Sequence, residues 1–156
     1  MDRPGSPSNH TRWMTTVAPL SPSADVCRGR SPRSEELMDP LILKDALTNM
    51  SALDPTLNWH PFRPGIQISP IYAAPNGGAS AAFLKYQPGA HVALHMHAGY
   101  EHIFILQGSQ IDRSGENRAG TVIINPPGSS HQVSSPHGCI VLIIWEKPVV
   151  LLPPTP

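Results

Sequence analysis

An all-β barrel of jelly-roll type is the fold this chain predicts. Short runs of alternating or β-branched apolar residues recur from Ile66 onward. A turn signal follows nearly every run, and 19 prolines with 12 glycines leave little room for long helices. Many short strands at such spacing roll up as a sandwich or barrel, and a small jelly roll fits best. The 156 residues suffice for one domain and not comfortably for two.

The elements follow in order. Ile66 to Tyr72 alternates and is turned by Asn76-Gly77-Gly78. Ala81 to Gln87 is a second strand, ended by Pro88-Gly89. His91 to His97 alternates again, and Glu101 to Gln107 is a strand ended by Gly108. Ser114-Gly115-Glu116-Asn117 marks a hairpin tip. Thr121 to Asn125 is closed by Pro126-Pro127-Gly128, and His131 to Ser134 precedes a turn at Ser135-Pro136-His137-Gly138. Cys139 to Glu146 reads as a fully buried strand, and Val149 to Leu152 adds an edge.

This domain occupies residues 59–152. Residues 1–37 are rich in Pro, Ser and Arg and have no hydrophobic periodicity, as in a disordered tail or an extension from an early start codon. Met38 begins a plausible chain of its own. Residues 38–58 form an N-terminal arm: Leu41, Leu47, Met50 and Leu53 give a partial apolar stripe, with Asp54-Pro55 as a stop. We expect it to pack on the barrel or on a second subunit.

Eleven basic and eleven acidic residues balance to a formal net charge of +0, so no basic field exists to hold nucleic acid or an anionic membrane. The longest apolar run, Cys139 to Trp145, is far short of a membrane span, and no secretory h-region is present. Asp2, Asp25, Glu35, Glu36 and the prolines argue against a transit peptide. Cys27 and Cys139 form no CxxC pair, and a disulfide between them is not expected with Cys27 in the tail. This usage fits a reducing, cytoplasmic compartment.

Histidines and one glutamate carry the chemistry. Alternation places His95 and His97 on one face, with Ala93 and His91 at the same parity. Glu101 begins a second inward row with Ile103 and Ile105, and His131 follows a Pro-Gly turn. Three neutral imidazoles and one carboxylate can enclose one divalent transition metal, leaving a net charge near +1. Zinc, Fe(II), Mn, Ni and Cu(II) all tolerate such donors. A six-coordinate ion would keep two positions for water, substrate or dioxygen.

The remaining candidates have structural readings of equal or greater weight. His91 is expected at the surface or behind the ligands, and His102 outward or in a subunit contact. His10, His60 and His137 are expected to be solvated. Tyr100 could border the pocket mouth, Gln107 could offer an amide to a substrate, and Ser129 and Ser130 could hold the turn before His131. Phe83, Ile103, Phe104, Ile105 and Trp145 read as core, and Cys139 as a small buried hydrophobe. No Ser-His-Asp or Cys-His arrangement, paired carboxylates or phosphate loop stands out, so no catalytic residue beyond the metal donors is named. The apolar rows beside the donors favour a small, weakly charged substrate.

Gly89, His95, His97, Glu101 and Gly108 match the first cupin motif, G-x5-H-x-H-x3-E-x6-G, at every defined position. Gly120, Pro126, Gly128 and His131 match the second, G-x5-P-x-G-x2-H-x3-N, except that Ser135 stands at its final Asn. The chain therefore resembles the cupins over roughly residues 59–147. The resemblance implies a double-stranded β-helix with His95, His97, Glu101 and His131 as metal ligands. Pro88-Gly89-Ala90, the run from His97 to His131 and Gly138-Cys139 resemble the ChrR-like cupins, the metal-binding half of a zinc-dependent anti-sigma factor and its free-standing relatives. The helical zinc domain of those anti-sigma proteins, with its His and Cys-x-x-Cys, has no counterpart here, which argues against sigma-factor binding. Similar monocupins include iron dioxygenases that cleave β-diketones. The resemblance thus implies a metal-dependent, dioxygenase-like enzyme acting on a small organic molecule, or alternatively a non-catalytic metal-binding sensor, in either case as a homodimer.

Overall fold

Turn chemistry and apolar alternation resolve into ten strands, one α-helical turn and two 3-10 turns among residues 40–153, the part described by the computed structural model. The expected tail over residues 1–37 lies outside the described residues. The strands are β1 (His60–Arg63), β2 (Ile66–Ala73), β3 (Ser80–Tyr86), β4 (Ala90–His97) and β5 (Glu101–Asp112). They continue as β6 (Gly115–Arg118), β7 (Val122–Asn125), β8 (Ser130–Ser135), β9 (Cys139–Trp145) and β10 (Val149–Leu151). All pairings are antiparallel, in the order β1-β2-β3-β9-β5-β8-β4-β10, with β6 and β7 also on β5. The fold is the jelly roll that the turn spacing predicts. No helix among the described residues is long and apolar enough to cross a membrane.

The long strand β5 joins the two layers of the roll. Its first part, Glu101 to Gly108, pairs with β9 and β7. Its last part, Ser109 to Asp112, pairs with β6 and touches β8 at Ile111–Ser134. Gly108 does not end the strand, as its turn propensity suggests. It bends the strand instead, at φ +70°, just after a bulge between Ile105 and Gln107. A β-carbon here would overlap the Gly138 carbonyl oxygen, so glycine is required on two counts. Beyond the bend, residues expected at a hairpin tip form β6, and the tip moves to Arg113-Ser114.

Between the layers lies a core of Ile66, Leu84, Ile103, Ile105, Val141 and Ile143 with Trp145 at one end. A second cluster forms on the outer face, where Met50 packs with Phe83 and Ile140. Leu43, Leu53, Leu57 and Trp59 surround it, so the arm does cover the barrel. Strands β3 and β9 are thus buried on both faces, which explains the unbroken run Cys-Ile-Val-Leu-Ile-Ile-Trp. The arm holds one α-helical turn, α1 (Met50–Leu53), capped by the Asn49 side chain, and a 3-10 turn at Asp54–Thr56. Asp54 then clamps it to the sheet. Its carboxylate accepts hydrogen bonds from Trp59 Nε1 at 2.9 Å and from Lys85 Nζ at 2.7 and 2.8 Å. Strand β1 is not evident in the sequence, because Pro61 weakens a four-residue run. It is tolerated because β1 is an edge strand.

Ser135, which replaces the motif asparagine, is fully buried and donates its hydroxyl to Ser109 O at 2.7 Å, tying β8 to the bend of β5. Cys139 beside it is a free thiol, and burial pushes its pKa up to about 11.

Two outcomes follow. Gly108→Ala should cost about 3 kcal/mol or more, from overlap plus a left-handed backbone, measurable as a lowered urea midpoint. In a Cys27→Ser background, Cys139 should hold only about one thiolate per thousand at pH 8 and react with a disulfide reagent only after denaturation.

Candidate metal centre

Strand β4 delivers two imidazoles because of a bulge. The register slips between Val92 and His95, so Ala90 and Val92 share the inner side with His95 and His97. Simple alternation would put His91 and Ala93 with the two histidines. The slip turns both outward, and both are exposed. His131 on β8 is the direct cross-strand partner of His95. Glu101 opens β5 one short turn after His97 and pairs on its two sides with Asn125 of β7 and Trp145 of β9.

The structure brings all four sequence-predicted residues together. One donor atom from each of His95, His97, Glu101 and His131 lies within 4.8 Å of all the others. Each residue is at most 6 % exposed. The imidazole centroids stand 4.6, 4.9 and 5.2 Å apart, edge to face.

The surrounding contacts orient the donors. His95 Nδ1 donates to Ala93 O at 2.9 Å, which leaves its Nε2 lone pair free. Ser129 gives its hydroxyl proton to Pro126 O at 2.6 Å and therefore accepts from His97 Nδ1 at 2.9 Å. His97 then also turns a bare Nε2 toward the cluster. Glu101 is gripped from both sides: Trp145 Nε1 donates to Oε1 and Asn125 Nδ2 to Oε2, each at 2.8 Å. That Oε2 faces His97 Nε2 at 3.0 Å and His131 Nε2 at 3.5 Å. Neither buried Nε2 has a hydrogen-bond partner, although both lie near the carboxylate. The bonds of His95 and His97 turn their lone pairs inward, and two buried Nε2 atoms stand without a partner beside the carboxylate; such a donor set suits a cation, so the residues present fit a divalent metal.

The electrostatics agree. Burial alone would raise the Glu101 carboxyl, but the His131 and His97 imidazoles and the Asn125 amide outweigh it and hold the group well below the usual carboxylate range. Burial lowers His95 and favours its neutral, metal-binding form, against the opposing pull of its bond to Ala93. Asp112 Oδ2 stands 3.8 Å from His131 Nδ1, too far for a direct bond.

Sequence reasoning missed Asn125 and the polar role of Trp145, because strand register rather than spacing brings them to Glu101. Gln107 shares the parity of Glu101 in sequence, yet the bulge after Ile105 carries it to the exposed outside. The buried amide on β5 is Gln110, 2 % exposed, beside Tyr86 and Cys139. Tyr100 is 47 % exposed, its ring 6.2 Å from that of His102, and it does not line the cavity beside the donors.

A cavity of about 30 Å³ adjoins His95, Glu101 and His131. Val92, Ile103, Ile143 and Val149 give it apolar walls, and Arg63 and Tyr86 supply its polar groups. It has room for a water or two.

Comparison with known proteins places this architecture. The chain is similar to a cupin-like-fold protein of unknown function from Ralstonia eutropha JMP134, at 24 % identity and a TM-score of 0.53 over 56 % of this chain and 59 % of that one. It is similar to an acetylacetone dioxygenase from Acinetobacter johnsonii, at 18 % identity and a TM-score of 0.58, covering 83 % and 85 %. It is also similar to the anti-sigma ChrR of Rhodobacter sphaeroides, solved in complex with SigE, at 23 % identity and a TM-score of 0.52, covering 70 % and 71 %. These likenesses show the fold. No curated protein matches the sequence. The model of the ChrR cupin-like domain matches residues 48–149, nearly two thirds of the chain, and the protein belongs to that family.

Proposed function

We propose that His95, His97, Glu101 and His131 bind one divalent transition metal and that the protein is a metal-dependent, dioxygenase-like enzyme acting on a small organic molecule. The observation that carries this reading is the pair of buried, unpartnered Nε2 atoms aimed at a charged, gripped carboxylate. Zinc, Fe(II), Mn and Ni are the candidate ions. A bound metal supplies Lewis acidity and, where redox-active, dioxygen chemistry. The chain's own residues do the rest. Ala93 and Ser129 set the tautomers of His95 and His97, Trp145 and Asn125 hold the Glu101 carboxylate in place, and the apolar walls exclude water. No general base is assigned.

The acetylacetone dioxygenase with the same fold supports an enzyme of this kind. The small size of the cavity favours a second reading, a non-catalytic sensor resembling the anti-sigma ChrR. A homodimer belongs to the same proposal, supported by exposed Val122 and Ile124 on the edge strand β7. So does a cytoplasmic setting, supported by the free Cys139.

Elemental analysis of the full chain should find about one divalent ion per chain, lost in His97→Ala and in Glu101→Ala. Retention of none of the four metals would overturn the proposal. Dioxygen uptake by the Fe(II)-loaded protein with a panel of β-diketones, abolished by Glu101→Ala, would establish the enzyme. Bound zinc without uptake, together with a stoichiometric protein partner, would establish the sensor. Asn125→Ala should weaken metal affinity about ten- to a hundredfold, read by competition with a chelating dye.

A further inference from the structure

Arg63 is an unpaired cation lining the cavity beside the metal donors, and the metal reading gives it no role. It ends β1, where the chain turns through Pro64-Gly65 into β2, and its guanidinium stands half-buried among the residues that line the cavity beside His95, Glu101 and His131. Its one ring contact is with Phe62, 5.1 Å from guanidinium carbon to centroid. It makes no ion pair among the described residues, and several acids there are engaged elsewhere. Asp54 holds Lys85, Glu116 holds Arg118, and Glu146 accepts from the Tyr100 backbone. Glu101 is taken by Trp145 and Asn125. A partly desolvated cation without a counter-charge is costly unless something supplies one.

Tyr86 stands beside it in the same cavity, 6 % exposed. Burial raises its phenol far above the ordinary range, with Arg63 pulling the other way, so the hydroxyl keeps its proton and can donate. An arginine and a protonated tyrosine, which also meets Gln110, thus line the space beside the four donors. No other lysine or arginine lines it.

We infer that Arg63, with Tyr86, receives the carboxylate of a small, otherwise apolar ligand whose remaining part lies toward the metal. The inference rests on the metal reading above for the second half of the ligand, not for the carboxylate contact. A planar carboxylate matches the guanidinium fork in a bidentate pair. A phosphate would need more cationic partners and more room than this cavity provides. Arg63 is thus a specificity-determining residue: it selects acids over neutral molecules of the same shape.

The test is calorimetric titration of the zinc-loaded full chain with formate and acetate, acids small enough for the cavity, and with their primary amides. The acids should bind at least about tenfold more tightly than the matched amides. Arg63→Met should erase that preference with zinc content and amide binding unchanged, and Arg63→Lys should keep part of it. Arg63→Gln repeats the measurement if the methionine variant does not fold. Equal binding of acid and amide, no binding of any probe, or a preference retained in Arg63→Met and Arg63→Gln would overturn the inference. Titration of the metal-free wild type separates the two readings. An acid preference that depends on Arg63 in a chain retaining no metal sinks the metal centre and leaves Arg63 standing.

Discussion

A carboxylate 2 % exposed in the middle of a β-barrel is the constraint around which this structure is arranged. Removing an ionised Glu101 from water is expensive unless hydrogen bonds and opposite charge replace hydration. Two neighbouring strands each contribute one neutral donor, Trp145 from β9 and Asn125 from β7. Its ion-pair partners among the described residues are imidazoles, His97 and His131. Two neutral donors and three imidazoles, two of them with their Nδ1 protons held elsewhere, do not complete the charge balance. A divalent ion would complete it, satisfying the carboxylate and the unpartnered nitrogens together.

The scaffold is built to hold that arrangement. Strand β5 begins at Glu101 and ends at Asp112, near His131, crossing from one layer to the other through the bend at Gly108. The crossing sets β8 and β4 against the far part of β5, and so brings His131 opposite His95. Ser135 fastens the same crossing from β8. On the outside, the arm held by Asp54 buries the second face of β3 and β9, which stiffens the layer carrying Trp145. The donors are therefore carried on paired strands rather than on loops, where geometry is held more tightly.

The cavity joins this centre to a second electrostatic feature. With a divalent ion held by the four donors the site would have a net charge near +1, and Arg63 adds another positive charge beside apolar walls. Such a cavity discriminates by charge as well as size. That narrows the expectation of a weakly charged substrate drawn from the apolar rows alone, because the sequence places Arg63 on a segment with no evident strand, far from both motifs.

Sequence alone determined the strand-rich class, most strand positions, and the four residues that converge. Turn residues and alternation are local, and His95, His97 and Glu101 are close in the chain, so their spacing carries geometry directly. Tertiary structure decided which side chains face inward. The bulges after Val92 and Ile105 each insert one residue and invert parity, moving His91 and Gln107 outside. Register between distant strands decided that Trp145 and Asn125 grip Glu101, and the edge strand β1 decided that Arg63 enters the cavity. A bulge leaves no mark in hydrophobic periodicity, and pairing between remote segments depends on how the whole sheet closes. Both are therefore settled by the folded barrel and not by any local stretch of residues.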